Sequence, residues 1–350
     1  MARKTVFLET AFWDKFSECS RDLMPYAEGN DPAIVFERIS RWNNIFKFLC
    51  RSSLFVNIPL PELAEKAKDD PMLMHLLKCN GDGQCDLDQP EDPFPSLELK
   101  NRFEYPDDYL SIFFTETNHR ESAREHGVIN VSIDTIWEQE SKFRDTGKAI
   151  KTNKGFAWYS MDIFKECSNA MVIIDNFVLS PDKRTGKCET RYDLREILRL
   201  MLPESYPEDY PLSIFYFDDS DDDDVRESRK KQFDEAIMKF VRGKKKNLRI
   251  KLELFPTEPN FQNYHKDFHD RTIITNNVWI GSEAGFDLLV QDYSTNTNTR
   301  AIKTTKTHGL YFGFGDEAAD WLNAAYDHLI EEAKQCLKKY GYETNNRLLQ

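Results

Sequence analysis

Short apolar runs alternate along this chain with longer segments whose apolar residues recur at helical spacing, and that alternation limits the fold more than any other feature. Thr5–Leu8 is a buried-strand pattern bounded by Arg3, Lys4 and Glu9. Thr10–Cys19 follows with Phe12, Trp13 and Phe16 on one helical face. Asp31 and Pro32 open a second helix as cap and first-turn proline, and Ile34, Val35, Ile39, Trp42, Ile45, Phe46 and Leu49 supply its apolar positions. Leu54–Ile58 is strand-like and Pro61–Leu77 helical. Ser111–Thr115, His119–His126 and Val128–Val131 read as strand, helix and strand. This order predicts a three-layer α/β domain with a parallel sheet.

Open α/β sheets carry their sites at the carboxyl ends of strands. Glu9, Glu62 and Glu116 fall near three such ends, with Glu65 and Asn118 close by. Converging carboxylates there would hold Mg²⁺ or Mn²⁺ for phosphodiester hydrolysis; the plain alternative is ordinary polar strand ends. The runs Val6–Glu9, Ile58–Leu63 and Ile112–Asn118, with Ala123–Val128 after them, resemble the PIN-domain ribonucleases over residues 3–132. That resemblance implies a metal-dependent nuclease site at the three glutamates. The insert Cys79–Pro106 is rich in Gly, Pro and Asp and predicts a solvated loop.

The second half repeats the alternation. Ala170–Ile174 is a buried strand ending at Asp175, and Tyr192–Leu202 a helix stopped by Pro203. Leu212–Phe217 is a strand, Asp218–Asp224 a loop of six aspartates and a serine, Val225–Arg242 a helix, and Leu248–Phe255 a strand. Then comes His269-Asp270-Arg271-Thr272-Ile273-Ile274-Thr275-Asn276. On a strand, a cation two residues after a histidine faces the same side. The histidine could attack phosphorus or protonate a leaving oxygen while the guanidinium holds the phosphate. Phospholipase D-type enzymes use a similar His, Lys and Asp pattern; Arg271 and Asn276 stand at the last two positions here. A buried histidine and a structural salt bridge are the plain alternatives. Lys303, Lys306 and His308 could form a phosphate-binding rim, or a solvated strand face. Arg300–Thr307 and Gly309–Phe314 read as strands, and Asp316–Lys339 as an amphipathic helix.

The run from His269 to Trp279 and its continuation Ser282–Leu288 resemble the phospholipase D-like domain at the C-terminus of MIT-domain proteins, over residues 154–315. The resemblance implies a homodimer that binds phosphorylated ligands, lipid head groups among them, without demonstrated catalysis in its eukaryotic members. Bacterial relatives are associated with antiviral defence and conflict systems. The expected organisation is therefore a PIN-like domain over 1–132, a linker over 133–154, a phospholipase D-like domain over 155–340 and a loose tail over 341–350.

A net charge of -13 argues against a protein that coats nucleic acid or anionic membrane without specificity, although a local basic pocket is compatible with it. The seven scattered cysteines include no C-x-x-C pair, which points away from zinc or a disulfide framework and toward a reducing cytoplasm. No apolar run approaches the ~20 residues of a membrane span. Three functions fit these features: a nuclease or phosphodiesterase, a binding module for a phosphorylated ligand, and a structural or regulatory partner.

Overall fold

The computed structural model describes residues 5–21, 31–49, 53–58, 60–78, 110–125, 127–139, 147–152, 168–175, 178–181, 186–257, 271–276, 278–282, 286, 289–291, 300–302, 306–312 and 319–350. The protein is mixed α/β and divides into two compact units. The first comprises Met1–Thr146 with Phe312–Asn323, and the second Gly147–Tyr311 with Ala324–Gln350.

The first unit is built on four parallel strands, β1 (Thr5–Leu8), β2 (Ser53–Val56), β3 (Leu110–Thr115) and β4 (Ile129–Ser132), in the order β2-β1-β3-β4. The sequence predicts this parallel sheet, and it forms. Its helices are α1 (Thr10–Arg21), α2 (Pro32–Leu49), α3 (Leu60–Ala67), α4 (Pro71–Lys78) and α5 (Arg120–Glu125). Side chains alternate across a strand. Val6, Leu8, Ile112 and Phe114 therefore join Phe12, Trp13, Trp42 and Phe46 from α1 and α2 in one core. Phe7 and Phe113 are buried on the other face, with ring centroids 5.4 Å apart.

Two local expectations are corrected here. Pro61–Leu77 is two helices, because Asp70 and Pro71 begin a new one. The Asp70 carboxylate accepts hydrogen bonds from the backbone N–H groups of Met72 and Leu73, capping α4, and from Trp13 Nε1 and Ser17 Oγ of α1. Burial alone would raise its carboxyl pKa, but Leu73, Trp13, Ser17 and Met72 as donors together hold it below the ordinary 3.8. On α2, Ile34 is exposed while its neighbour Val35 is buried.

The second unit holds a seven-stranded mixed sheet. Its strands are β5 (Gly147–Thr152), β6 (Met171–Ile174), β7 (Tyr210–Phe217), β8 (Ile250–Thr257), β9 (Arg271–Thr275), β10 (Val278–Ser282) and β13 (Lys306–Phe312), in the order β5-β13-β10-β9-β6-β7-β8. A separate pair is formed by β11 (Leu289–Gln291) and β12 (Arg300–Ile302). Helices α6 (Tyr192–Met201), α7 (Asp223–Lys244) and α8 (Ala319–Tyr340) complete the unit's regular elements among the described residues, α8 beginning in residues grouped with the first unit. Asp222 caps α7 by accepting from the N–H groups of Asp224 and Val225.

The expected linker supplies β5, an edge strand paired antiparallel with β13, so part of it belongs to the sheet. His308, left between two expected strands, lies within β13. The expected loose tail is packed. Asn346 is fully buried, and its Nδ2 donates to Met171 O at 2.9 Å and Ser213 Oγ at 3.0 Å. Glu253 accepts from Thr344 Oγ1, Asn345 N and Ser213 Oγ, tying the tail to β7 and β8. Leu348 and Leu349 are buried beyond it. Alternating polarity identifies neither Asn346 nor Ser213 as core, because both are polar and their burial depends on each other.

Candidate functional site

Strand direction decides which predicted residues can meet. In the second unit β6, β7 and β8 run parallel, while β9 runs antiparallel to β6 with Ile174 opposite Thr272 and Met171 opposite Thr275. Arg271, the first residue of β9, therefore lies beside the carboxyl end of β6, and Asn276 lies beyond its amino end. Five residues of strand separate the two by about 17 Å, and an odd spacing turns them to opposite faces. Asn276 Oδ1 accepts from the Asn169 backbone N–H at 2.8 Å, holding the chain that enters β6. Asn276 and Arg271 do not form one site. His269 and Lys303 lie outside the described residues. Lys306 and His308 occur on β13, opposite Thr152 and Ile150 of β5.

The carboxyl edge around Arg271 is rich in polar groups. Asp175, directly after β6, is 1% exposed; its N–H donates to Phe215 O and its Oδ2 accepts from Phe286 N at 2.8 Å. Asp218, directly after β7, is 3% exposed. Its N–H donates to Thr257 O, and its Oδ1 accepts from Ser220 N at 3.0 Å and from Arg229 Nη1 at 2.6 Å. The same Arg229 nitrogen lies 2.7 Å from Asp219 Oδ1. This arginine bridges both aspartates and fastens the acidic loop to α7. Its own pKa is raised by Asp219 and Asp218 against the effect of burial.

At the end of β7, Asp218 Oδ2 and Tyr216 Oη are buried and lack a hydrogen-bond partner among the described residues. Burial first, and then the charge of Asp218, pushes the Tyr216 phenol well above its ordinary value, so it stays protonated. The buried thiol of Cys188 is also pushed up by burial, lowered by Arg229 and raised by Asp218. Cys188 is thus a protonated neighbour of the cluster and a poor nucleophile.

Sequence reasoning singled out Asp218 as part of a charged loop and Asp175 as a strand end, and missed Tyr216, Cys188 and Arg229 as site residues. The available signal was position: both aspartates directly follow apolar strands, where open α/β sheets gather ligands.

In the first unit the chain passes from β1 to β2 on one side and returns to β3 on the other. That reversal opens a crevice at the carboxyl ends of β1 and β3. Glu9 and Glu116 meet there. The Glu116 N–H donates to Glu9 Oε2 at 2.5 Å, and Lys15 Nζ lies 2.6 Å from Glu116 Oε1. The Glu116 hydrogen bond and charge raise the Lys15 pKa. Glu62 is exposed in the first turn of α3. Behind the crevice, Asn130 Nδ2 donates to Thr115 Oγ1 and Phe113 O, while Asn130 Oδ1 accepts from His119 N. Among the described residues no group of three His, Cys, Asp or Glu side chains is arranged to hold a metal ion. Glu9, Glu62 and Glu116, expected to share Mg²⁺ or Mn²⁺, are not gathered into one such group.

Compared with known proteins, the chain matches no family model and no curated protein. No helix among its described residues is long and apolar enough to cross a membrane.

Proposed function

We propose that the chain is a phosphodiester-related protein whose second unit binds the phosphate of a nucleic acid, nucleotide or lipid head group at the carboxyl edge of β6 and β7. Arg271 is the phosphate-holding cation. The register of β9 against β6 carries this reading, because it brings the start of β9 to the edge where open α/β sheets bind ligands. A guanidinium offers paired donors matched to phosphate oxygens. The packed apolar strands around it lower the local dielectric and strengthen that attraction. The resemblance of the run from His269 to Trp279 to phospholipase D-like domains supports the same assignment and implies a homodimer.

Calorimetric titration with inorganic phosphate, a 5′-phosphorylated RNA oligonucleotide and phosphoinositide vesicles tests this reading. The wild-type chain should bind at least one of the three, and Arg271→Ala should weaken that binding roughly tenfold or more. Absence of binding to all three overturns it. Incubating the oligonucleotide with and without EDTA, in wild type and His269→Ala, reads whether binding proceeds to cleavage.

A further inference from the structure

The end of β7 presents two polar atoms that the fold leaves without a hydrogen-bond partner. Tyr216 and Asp218 lie two residues apart, so both side chains leave the strand on the same face. Both are more than nine-tenths buried. Neither Tyr216 Oη nor Asp218 Oδ2 has a hydrogen-bond partner among the described residues. Native interiors rarely leave such atoms unmatched, and doing so twice on one face points to a guest. The next residue, Asp219, carries a 71% exposed side chain, so the pair lies just below the surface.

The chemistry of the guest follows from what is already satisfied. Asp218 Oδ1 is engaged by Ser220 N and by Arg229, which it shares with the exposed Asp219. An anionic guest would meet the Asp218 carboxylate directly, and a cation would leave the Tyr216 hydroxyl proton without an acceptor. The open positions are one carboxylate oxygen, which accepts, and one phenol, which can donate. A neutral vicinal diol matches both: one hydroxyl donates to Asp218 Oδ2 and the other accepts from Tyr216 Oη.

We infer that the carboxyl end of β7 is a ribose subsite, with Asp218 and Tyr216 taking the diol of a ribonucleotide whose phosphate is held by Arg271. The inference rests on the phosphate-binding reading of Arg271. Strand order agrees with it: β6 separates β7 from β9, so the two contact points are about 10 Å apart across the sheet.

The test titrates the full chain with the four ribonucleoside triphosphates and their 2′,3′-dideoxy counterparts, with the 5′-phosphorylated oligonucleotide as a separate phosphate probe. At least one ribonucleotide should bind roughly tenfold or more tightly than its dideoxy form, because the site's hydrogen bonds would otherwise go unmade. That ratio should fall toward one in Asp218→Asn and in Tyr216→Phe. The phenylalanine variant keeps the ring and removes only an unmatched hydroxyl, so its thermal midpoint should not drop; this separates a lost contact from a lost fold. Equal binding of ribo and dideoxy forms overturns the ribose subsite and leaves the phosphate reading intact. Oligonucleotide binding that depends on Arg271, with no nucleotide binding, does the same. No binding to any probe overturns both.

Discussion

The crevice of the first unit and the sheet edge of the second occupy the same topological position and treat their carboxylates differently. Between β1 and β3, Glu9 accepts from the Glu116 backbone and Glu116 faces Lys15, all close to solvent. At the edge of β6 and β7, Asp175 and Asp218 are almost fully buried, and one Asp218 oxygen has no hydrogen-bond partner among the described residues. A strand-end carboxylate is thus weak grounds for a site until its partners are known. Where the fold itself satisfies the group, it fastens a loop; where a buried oxygen is left over, something else can claim it.

The largest test of this contrast removes the tail that secures the second unit. Deleting residues 342–350 removes Asn346, which bonds β6 and β7, together with the buried Leu348 and Leu349. Losing two buried leucines and a matched carboxamide should cost about 4 kcal/mol or more. Urea unfolding should show that loss in the second unit's transition. A transition unchanged by the deletion would mean the tail only rests on the sheet.

Asp70 tests the same rule in the first unit, since its carboxylate has four fold-supplied donors. Asp70→Ala should cost about 2 kcal/mol through the lost cap and the unpaired Trp13 and Ser17 donors. Because the folded pKa is depressed, the carboxylate's contribution is fully present above the unfolded value near 3.8 and is lost as pH falls through the lower folded value. Wild type should lose stability across that acid window, and Asp70→Asn should show a shallower decline there. Identical acid limbs would remove Asp70 as their cause.

Asn276→Ala should cost about 1 kcal/mol by freeing the Asn169 N–H. Its ligand affinity should follow the wild type after correction for the folded fraction, in contrast to Arg271→Ala. If both variants lose affinity equally, the separation of the two ends of β9 has been misjudged. The smallest effect is expected from Glu116→Gln, whose exposed pair with Lys15 should leave the melting temperature nearly unchanged.

Much of the fold was legible in the residues. The short, mostly apolar runs Thr5–Leu8 and Leu212–Phe217, and the helical spacing in Thr10–Cys19 and Tyr192–Leu202, are local properties that mark strands and helices. The polar partners were less legible. The Asp70 cap was hidden inside an apparently continuous helix, and Asn346 looked like tail because a polar residue shows its burial only through the groups that match it. The motif from His269 to Asn276 gave a spacing without a direction. On β9 that spacing carries Asn276 away from the Arg271 edge.

The sequence by itself determined that apolar strands and amphipathic helices alternate, that the first sheet is parallel, and that a histidine and an arginine two residues apart lead into an apolar run in the second half. Only the tertiary structure decided that this strand runs against its neighbour, that Arg271 shares an edge with Asp175 and Asp218, and that Tyr216 belongs with them. The reason is physical. Periodicity and capping arise from residues a few positions apart, whereas strand order and register arise from contacts between segments far apart in the chain, and a site at a sheet edge is made from those.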